Sequence, residues 1–373
     1  MSQPMRPAII SRRTFLQTMV GATGLAISPF AFAQALSPQR LSLGFDTYSI
    51  RNLRWKAPQI LDYAAGLKLD VVMMSPPCFE SFEEPYLQKV KDQADRLGVR
   101  VFPGFGCICP LSKAWNKKQG DPTTYLLNCI RTAKMLGAPA FKVLMGIADD
   151  RKQSVPIPQM METAIKALRT VRSQALDAGV KIAFENHGDM QAWQVKALIE
   201  EAGKEFVGSC FDAGNPVVML EDPLTALEIL GPYVAASHIR DSVVYEIPRG
   251  AAFQWVALGD GMIDFKRFVN RFQELCPKAP FLMEIITGNA PQEQPFLEPE
   301  FWNEHPSARA AEFAGFLALM KKGRPFTGKM LVSRDGPQPP EYQAALIQQQ
   351  RIDLERSMDY AKKTLDVGVR WRS

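Results

Sequence analysis

From about residue 40 the chain alternates a short apolar run with a longer amphipathic stretch, and does so eight times. The runs 41–49, 69–75, 99–105, 140–145, 181–186, 207–212, 234–239 and 280–286 are rich in Val, Ile, Phe and Leu and almost continuously hydrophobic. Continuous rather than alternating hydrophobicity is the mark of parallel strands buried on both faces. The segments between them, such as 58–67, 85–97, 123–136, 158–178, 192–202 and 265–275, have helical character. Several open after Pro or Asp and close on glycine, as at Leu97-Gly98, Leu136-Gly137, Ala178-Gly179 and Ala202-Gly203. Eight such units in roughly 250 residues predict an α/β fold of the (β/α)8 TIM barrel kind. A doubly wound sheet is the competing arrangement. It usually carries a phosphate-binding glycine loop after its first strand, and no Gly-x-Gly-x-x-Gly or P-loop stands there.

The ends differ from the middle. Ser11-Arg12-Arg13-Thr14-Phe15-Leu16-Gln17 has the form of a twin-arginine export signal, followed by a modest apolar stretch and by Ala31-Phe32-Ala33, a small-residue cleavage site. The expected organisation is a signal peptide over 1–33, a barrel over 34–322 and a C-terminal extension over 323–373 with a polar helix from about residue 341. The partners expected from this are the twin-arginine export machinery and a periplasmic location, with no membrane span after cleavage. Lys and Arg exceed Asp and Glu by five, but they are dispersed, so no basic groove for nucleic acid is expected. Cys129, Cys210 and Cys276 read as core thiols. Cys78, Cys107 and Cys109 follow neighbouring strands and could pair in an oxidising compartment.

Four of the last strands finish on a carboxylate or an imidazole: Glu185, Asp212, His238 and Glu284. Such groups are costly to bury without partners. In a barrel of this kind, chemistry collects at the C-terminal ends of the strands. Three carboxylates and one imidazole there would suit a divalent metal ion, Mn, Mg, Co, Fe or Zn, and the absence of thiolate argues against a structural zinc cage. Residues two apart on a strand share a face. His187 is therefore aligned with Glu185, and Arg240 with His238. His187 is a proton-relay candidate, and Arg240 a ligand for a substrate oxygen or carboxylate. Lys142 in the fourth strand could touch substrate oxygens. Asp46 and Arg51 are weaker candidates. Trp115, Trp193 and Trp255 could each stack on a sugar ring or simply pack.

The phrases Phe184-Glu185-Asn186-His187, Phe211-Asp212-Ala213-Gly214-Asn215, Ser237-His238-Ile239-Arg240-Asp241 and Met283-Glu284 resemble the sugar phosphate isomerase/epimerase family, the xylose-isomerase-like barrels. The stretch Gly259-Asp260-Gly261-Met262-Ile263-Asp264-Phe265 resembles that family's loop into its seventh helix. The resemblance implies Glu185, Asp212, His238 and Glu284 as metal ligands and Glu185 and Glu284 as the acid/base pair on opposite faces of a small carbohydrate. Some 3-epimerases carry a histidine three residues after the metal aspartate. Here the place is Asn215, an amide that can bind substrate but cannot shuttle a proton near neutral pH. The expected function is an exported, metal-dependent isomerase or epimerase acting on a carbohydrate or keto-sugar through an enediolate. The alternatives are a metal-dependent lyase or dehydratase on a keto-sugar or keto-glycoside, and a non-catalytic sugar-binding barrel. Hydrolysis of phosphodiesters by a histidine-rich metal cluster is excluded by the histidine count of three: His187, His238 and His305. A homodimer is a mild expectation.

Overall fold

The computed structural model describes residues 40–333 and 336–372, and the expected signal segment lies outside them. The eight apolar runs become eight parallel strands: β1 (Leu43–Asp46), β2 (Val71–Met74), β3 (Arg100–Cys107), β4 (Ala140–Leu144), β5 (Lys181–Glu185), β6 (Val207–Asp212), β7 (Val234–His238) and, after an excursion, β10 (Phe281–Met283). They pair in the order β10-β1-β2-β3-β4-β5-β6-β7. The ring is completed beyond the strand ends. Ile239 N–H donates to the Leu282 carbonyl at 2.7 Å and Glu284 N–H donates to the Ile239 carbonyl at 3.0 Å. The fold is the expected TIM barrel.

Alternation along each strand sorts its side chains. Val71, Met73, Phe102, Ala140, Ala183, Cys210, Ala236 and Leu282 fill the barrel interior. Their neighbours, such as Val72, Phe141, Ile182 and Phe211, face the helices. Those helices are α1 (Ala57–Gly66), α2 (Glu84–Leu97), α3 (Pro122–Met135), α4 (Ile157–Thr170), α5 (Arg172–Ala178), α6 (Ala192–Ala202), α7 (Pro223–Leu230) and α8 (Phe265–Leu275). The single helix expected over 158–178 is two, broken at Val171, whose backbone leaves helical geometry. Gly98 ends α2 and Gly179 ends α5 in left-handed conformations with φ of 64° and 66°, which an L side chain would resist. Helix α8 shows how the outer layer is held. Phe265, Phe268, Val269 and Phe272 line its buried face, and the Phe272 ring meets Phe281 of β10 edge-on at 5.6 Å. Cutting one such ring back to Ala costs about 3–5 kcal/mol.

Between β7 and α8 the chain makes a hairpin that the sequence reading did not separate from the seventh unit. Strands β8 (Asp241–Ile247) and β9 (Gly250–Val256) pair antiparallel, and β11 (Gln292–Gln294) adds to β9. This small sheet stands over the C-terminal face of the barrel and packs with helix α9 (Ala310–Met320) through Val244, Phe253 and Phe316. The last helix, α10 (Pro340–Lys363), lies along the seam between β10 and β1. Its Leu354, Met358 and Ala361 join the main core, Asp353 accepts from Thr287 Oγ1 at 2.9 Å, and Glu355 accepts from Tyr63 Oη of α1 at 3.0 Å. It stands where an eighth barrel helix stands. None of the described helices is long and apolar enough to cross a membrane. All six cysteines are buried and unbridged, which settles the pairing left open for Cys78, Cys107 and Cys109. The last two have other partners: Cys107 Sγ donates to the Met145 carbonyl at 2.8 Å and Cys109 Sγ reaches the Met160 carbonyl at 3.7 Å.

Candidate metal centre and substrate cavity

Because β5, β6, β7 and β10 end at one level with the same parity, their terminal side chains meet. Glu185, Asp212, His238 and Glu284 each offer a ligand atom, and these atoms all lie within 4.8 Å of one another. All four side chains are buried. His238 Nδ1 lies 2.8 Å from Glu185 Oε1 and 3.6 Å from Glu284 Oε2. Its Nε2 sits 3.2 Å from Met73 Sδ and 3.4 Å from Asp46 Oδ2. Asp212 Oδ1 accepts from the backbone N–H groups of Gly214 and Asn215 at 2.6 and 2.9 Å, so the Asp-Ala-Gly-Asn turn holds the carboxylate still.

Two cations reach the cluster. Lys142 Nζ lies 2.9 Å from Glu185 Oε2. Arg240 spans two acids: one arm donates to Glu284 Oε2 at 2.6 Å, the other to Asp212 Oδ2. Its guanidinium also stacks on the Trp255 ring, 4.4 Å from the centroid. Burial alone would raise Glu185, but Lys142 and His238 outweigh it and hold that carboxyl well below its ordinary range. Asp212 goes the other way. Burial pushes it up to about 6, and the nearby charges of Glu284 and Glu185 add to the rise that Arg240 opposes. Burial works against a charged His238 ring, yet the surrounding acids draw it well above the ordinary histidine value. Among the described residues, Asp46, Glu185, Asp212 and Glu284 thus face Lys142, Arg240 and the His238 ring, and the acids outnumber the cations. Oxygen and nitrogen donors with that surplus fit a divalent metal ion.

Above the cluster opens a cavity of about 450 Å³. Lys142, His187, Asn215, Arg240, Trp255 and Glu284 all line it. Glu185 does not reach its surface and lies beneath Lys142. The His187 ring contacts the Gly146 carbonyl through Nδ1 at 3.0 Å, which makes Nδ1 the protonated nitrogen and leaves Nε2 as an acceptor. Asn215 Nδ2 is buried without a hydrogen-bond partner, a donor ready for a ligand oxygen. Trp255 reaches the cavity from β9, and its Nε1 donates to the Gly214 carbonyl at 2.9 Å. The other two tryptophans serve packing. Trp115 meets Tyr125 edge-on, and Trp193 lies under Arg309. Asp241, beside Arg240, turns away from the cluster. It accepts from the N–H groups of Ser242, Gly259, Gly261 and Ile263 and so fastens the loop that leads into α8. Asn289 and Gln292 also line the cavity from the segment beyond β10, where no pattern in the sequence marked them. Met73 gave no signal either, being one apolar residue in an apolar strand.

Comparison with known proteins agrees with this architecture. The family model described as "xylose isomerase-like TIM barrel" matches residues 61–307. A 3-oxo-isoapionate decarboxylase of Pectobacterium atrosepticum is 22% identical over 209 residues, 56% of this chain and 64% of that protein. The chain spans 29 to 64% of the length of the curated relatives it matches. A D-psicose 3-epimerase of Clostridium cellulolyticum superposes with a TM-score of 0.53 at 12% identity, over 87% of this chain and 99% of that one. A xylose isomerase-like barrel of Mycobacterium smegmatis, solved with magnesium, superposes with a TM-score of 0.53 at 14% identity, over 75% of this chain and 98% of that one. With eight parallel strands closing one ring and a family model matched along most of it, this chain belongs to the xylose isomerase-like TIM barrel family.

Proposed function

We propose that the protein is a divalent-metal-dependent enzyme that moves a proton next to a carbonyl of a carbohydrate or keto-sugar, as an isomerase or epimerase. The observation that carries this reading is the convergence of Glu185, Asp212, His238 and Glu284 beneath a cavity walled by hydrogen-bond donors. A divalent ion held by those four would polarise a carbonyl and its neighbouring hydroxyl, acidifying the adjacent C–H. Glu284 opens onto the cavity and takes or returns the carbon-bound proton. Glu185, held ionised by Lys142 and set back from the cavity wall, serves the opposite face once Lys142 leaves it for a substrate oxygen. Lys142, Arg240 and Asn215 donate to substrate oxygens and favour the negative charge of an enediolate. His187 accepts at Nε2 and relays the proton outward. Asn215, unable to do so, positions. Trp255 forms the wall against which the ligand rests.

The magnesium-bound barrel and the epimerase named above support a metal and a sugar ligand for such a scaffold. A lyase is the second reading: the same carbanion can expel a leaving group on the next carbon instead of regaining a proton, and a relative named as a decarboxylase of a 3-oxo compound supports lyase chemistry on such a scaffold. Keto-sugars incubated with the purified protein and Mn²⁺ in deuterium oxide separate the two. Deuterium in recovered substrate or epimer supports the isomerase, and an unsaturated product supports the lyase. No exchange and no turnover with any keto-sugar would leave a binding barrel and sink both. Twin-arginine export, with release to the periplasm after Ala33, belongs to the same proposal. It rests on Arg12-Arg13 and the apolar stretch behind them, and replacing both arginines with lysine should keep the protein in the cytoplasm.

A further inference from the structure

The catalytic cavity has a neighbour. Where the chain leaves β1 and β2 on the same barrel face, a second chamber of about 430 Å³ opens, and Tyr48 and Ser75 line both. Tyr48 is 46% exposed, a ring left standing between the two spaces. The walls of the second chamber are largely apolar, built from Ile50, Trp55, Ile60, Pro77 and Cys78. Its charges are all of one sign: Arg51, Arg54 and Lys56.

Two of those cations, Arg51 and Lys56, are held in place without being neutralised, and Arg54 stands exposed at the rim. The Arg51 guanidinium lies 4.5 Å from the centroid of the Tyr48 ring and donates to the carbonyls of Tyr48 and Thr287 at 3.1 and 3.3 Å. Lys56 Nζ donates to the Pro77 carbonyl at 2.8 Å. Among the described residues none of the three forms an ion pair. Surface arginines elsewhere in the molecule do pair, as Arg249 does with Glu298 and Arg271 with Glu228. Three positive side chains around an aromatic, oxygen-poor chamber complement a flat apolar group that carries a negative charge. A second sugar ring, covered in hydroxyl groups, would find few partners on those walls.

We infer that the substrate is larger than one sugar: a glycoside whose ring enters the catalytic cavity and whose aryl aglycone, bearing an anionic substituent such as a carboxylate, fills the chamber beside Tyr48 and Trp55. This rests on the carbohydrate reading of the first cavity and extends it. Tyr48 marks the junction between glycosyl and aryl parts. Arg54 and Lys56 read the anion, and Arg51 stiffens Tyr48.

Titration calorimetry on the full chain tests it, with phenyl β-D-glucopyranoside and 4-carboxyphenyl β-D-glucopyranoside as the probes. The carboxylated probe should bind about tenfold more tightly, the worth of one charge-assisted hydrogen bond. That advantage should shrink as salt rises. The double variant Arg54→Gln, Lys56→Gln should erase it while leaving the phenyl probe within about twofold. Arg54→Gln alone and Lys56→Gln alone, each checked by circular dichroism, guard against a misfolded double variant. Equal affinity for the two probes, an advantage that survives in the variants, no binding of either probe, or tighter binding of a glucosyl-glucuronate than of the aryl carboxylate would each overturn the inference. Metal content of the same samples is read separately. A protein that prefers the carboxylated probe yet holds no divalent metal keeps the chamber and loses the proposed chemistry. A metal-loaded protein blind to the carboxylate does the reverse.

Discussion

Along β5, β6 and β7 the last inward-facing side chain is Glu185, Asp212 or His238, and the next inward position beyond β10 is Glu284. Along β1 to β4 the inward-facing residues near the same end include Asp46, Met73, Gly104 and Lys142. Strand geometry and parity are the same in both halves, and only the chemistry changes. The second half gathers three of the cluster's four carboxylates, with His238 and Arg240 among them. The first half supplies a counter-ion in Lys142, a soft neighbour for His238 in Met73, and room. A Cβ on Gly104 would come within 3.1 Å of Met73 Cγ and 3.4 Å of Asp46 Oδ2. A binding centre on a symmetric scaffold therefore needs an asymmetric rim, with donors on one side and balance and space on the other. The second chamber lies on the spacious side, behind β1 and β2.

The sharpest break of that comparison is at the donors. Glu284→Gln should slow solvent deuterium exchange into a keto-sugar by about 10²-fold or more, the loss of a positioned base. Asp212→Asn should strip the metal, read by elemental analysis, because Asp212 is fixed by two backbone donors and cannot be replaced by a shift of its neighbours. A variant retaining more than half of either property would mean that the second half of the rim is ordinary buried charge.

The balancing half is probed at Lys142. Removing one member of a buried ion pair leaves the other uncompensated, at about 3–5 kcal/mol. Lys142→Met should therefore lower unfolding free energy by that order in metal-free protein, measured in urea. Added divalent cation should restore part of it, since a ligand that binds only the folded state stabilises it. Equal loss with and without cation would separate Lys142 from the centre. Gly104→Ala asks about space alone. Crowding Met73 and Asp46 should cost about 1–3 kcal/mol, visible as a lower thermal midpoint with metal content unchanged.

Much of this was legible in the chain, for physical reasons. Strand boundaries came through because parallel strands buried on both faces leave unbroken apolar runs, and β6 matches its expected span residue for residue. The strand ends were legible because carboxylates and imidazoles interrupt those runs. What lay hidden depends on contacts distant in sequence. Arg240 bridging Asp212 and Glu284 joins three strands, and nothing local to Arg240 announces it. The hairpin of β8 and β9 was absorbed into the seventh unit because Asp241, Ser242, Tyr245, Glu246 and Gln254 break up its apolar residues, so neither strand shows the unbroken run that marks a barrel strand. Helix α10 reads in the sequence only as a polar extension packed on the barrel or on a neighbouring subunit. Its apolar stripe is thin, and its role against the β10/β1 seam shows only in tertiary contacts such as Asp353 with Thr287.

The smallest effect concerns a buried acid of the second half that has no part in the centre. Glu221 lies below α6, where both its oxygens accept from the Ala192 N–H at 3.1 and 3.0 Å. Burial pushes its carboxyl up to about 8, with the nearby Glu312 adding to the rise. The folded protein therefore binds a proton here that the unfolded chain, titrating near 4.5, has already released. The sign follows: its stabilising share is complete below pH 4.5, is lost as pH climbs toward 8, and is absent above it. Glu221→Gln, which keeps an acceptor for Ala192 and cannot ionise, should leave stability unchanged at pH 4.5 and raise it by roughly 1–3 kcal/mol at pH 8. Urea midpoints of the two proteins across that range give the difference directly. A gap that does not widen with pH would show Glu221 ionised throughout, and would extend to it the charge-gathering character that the comparison reserves for the four donors.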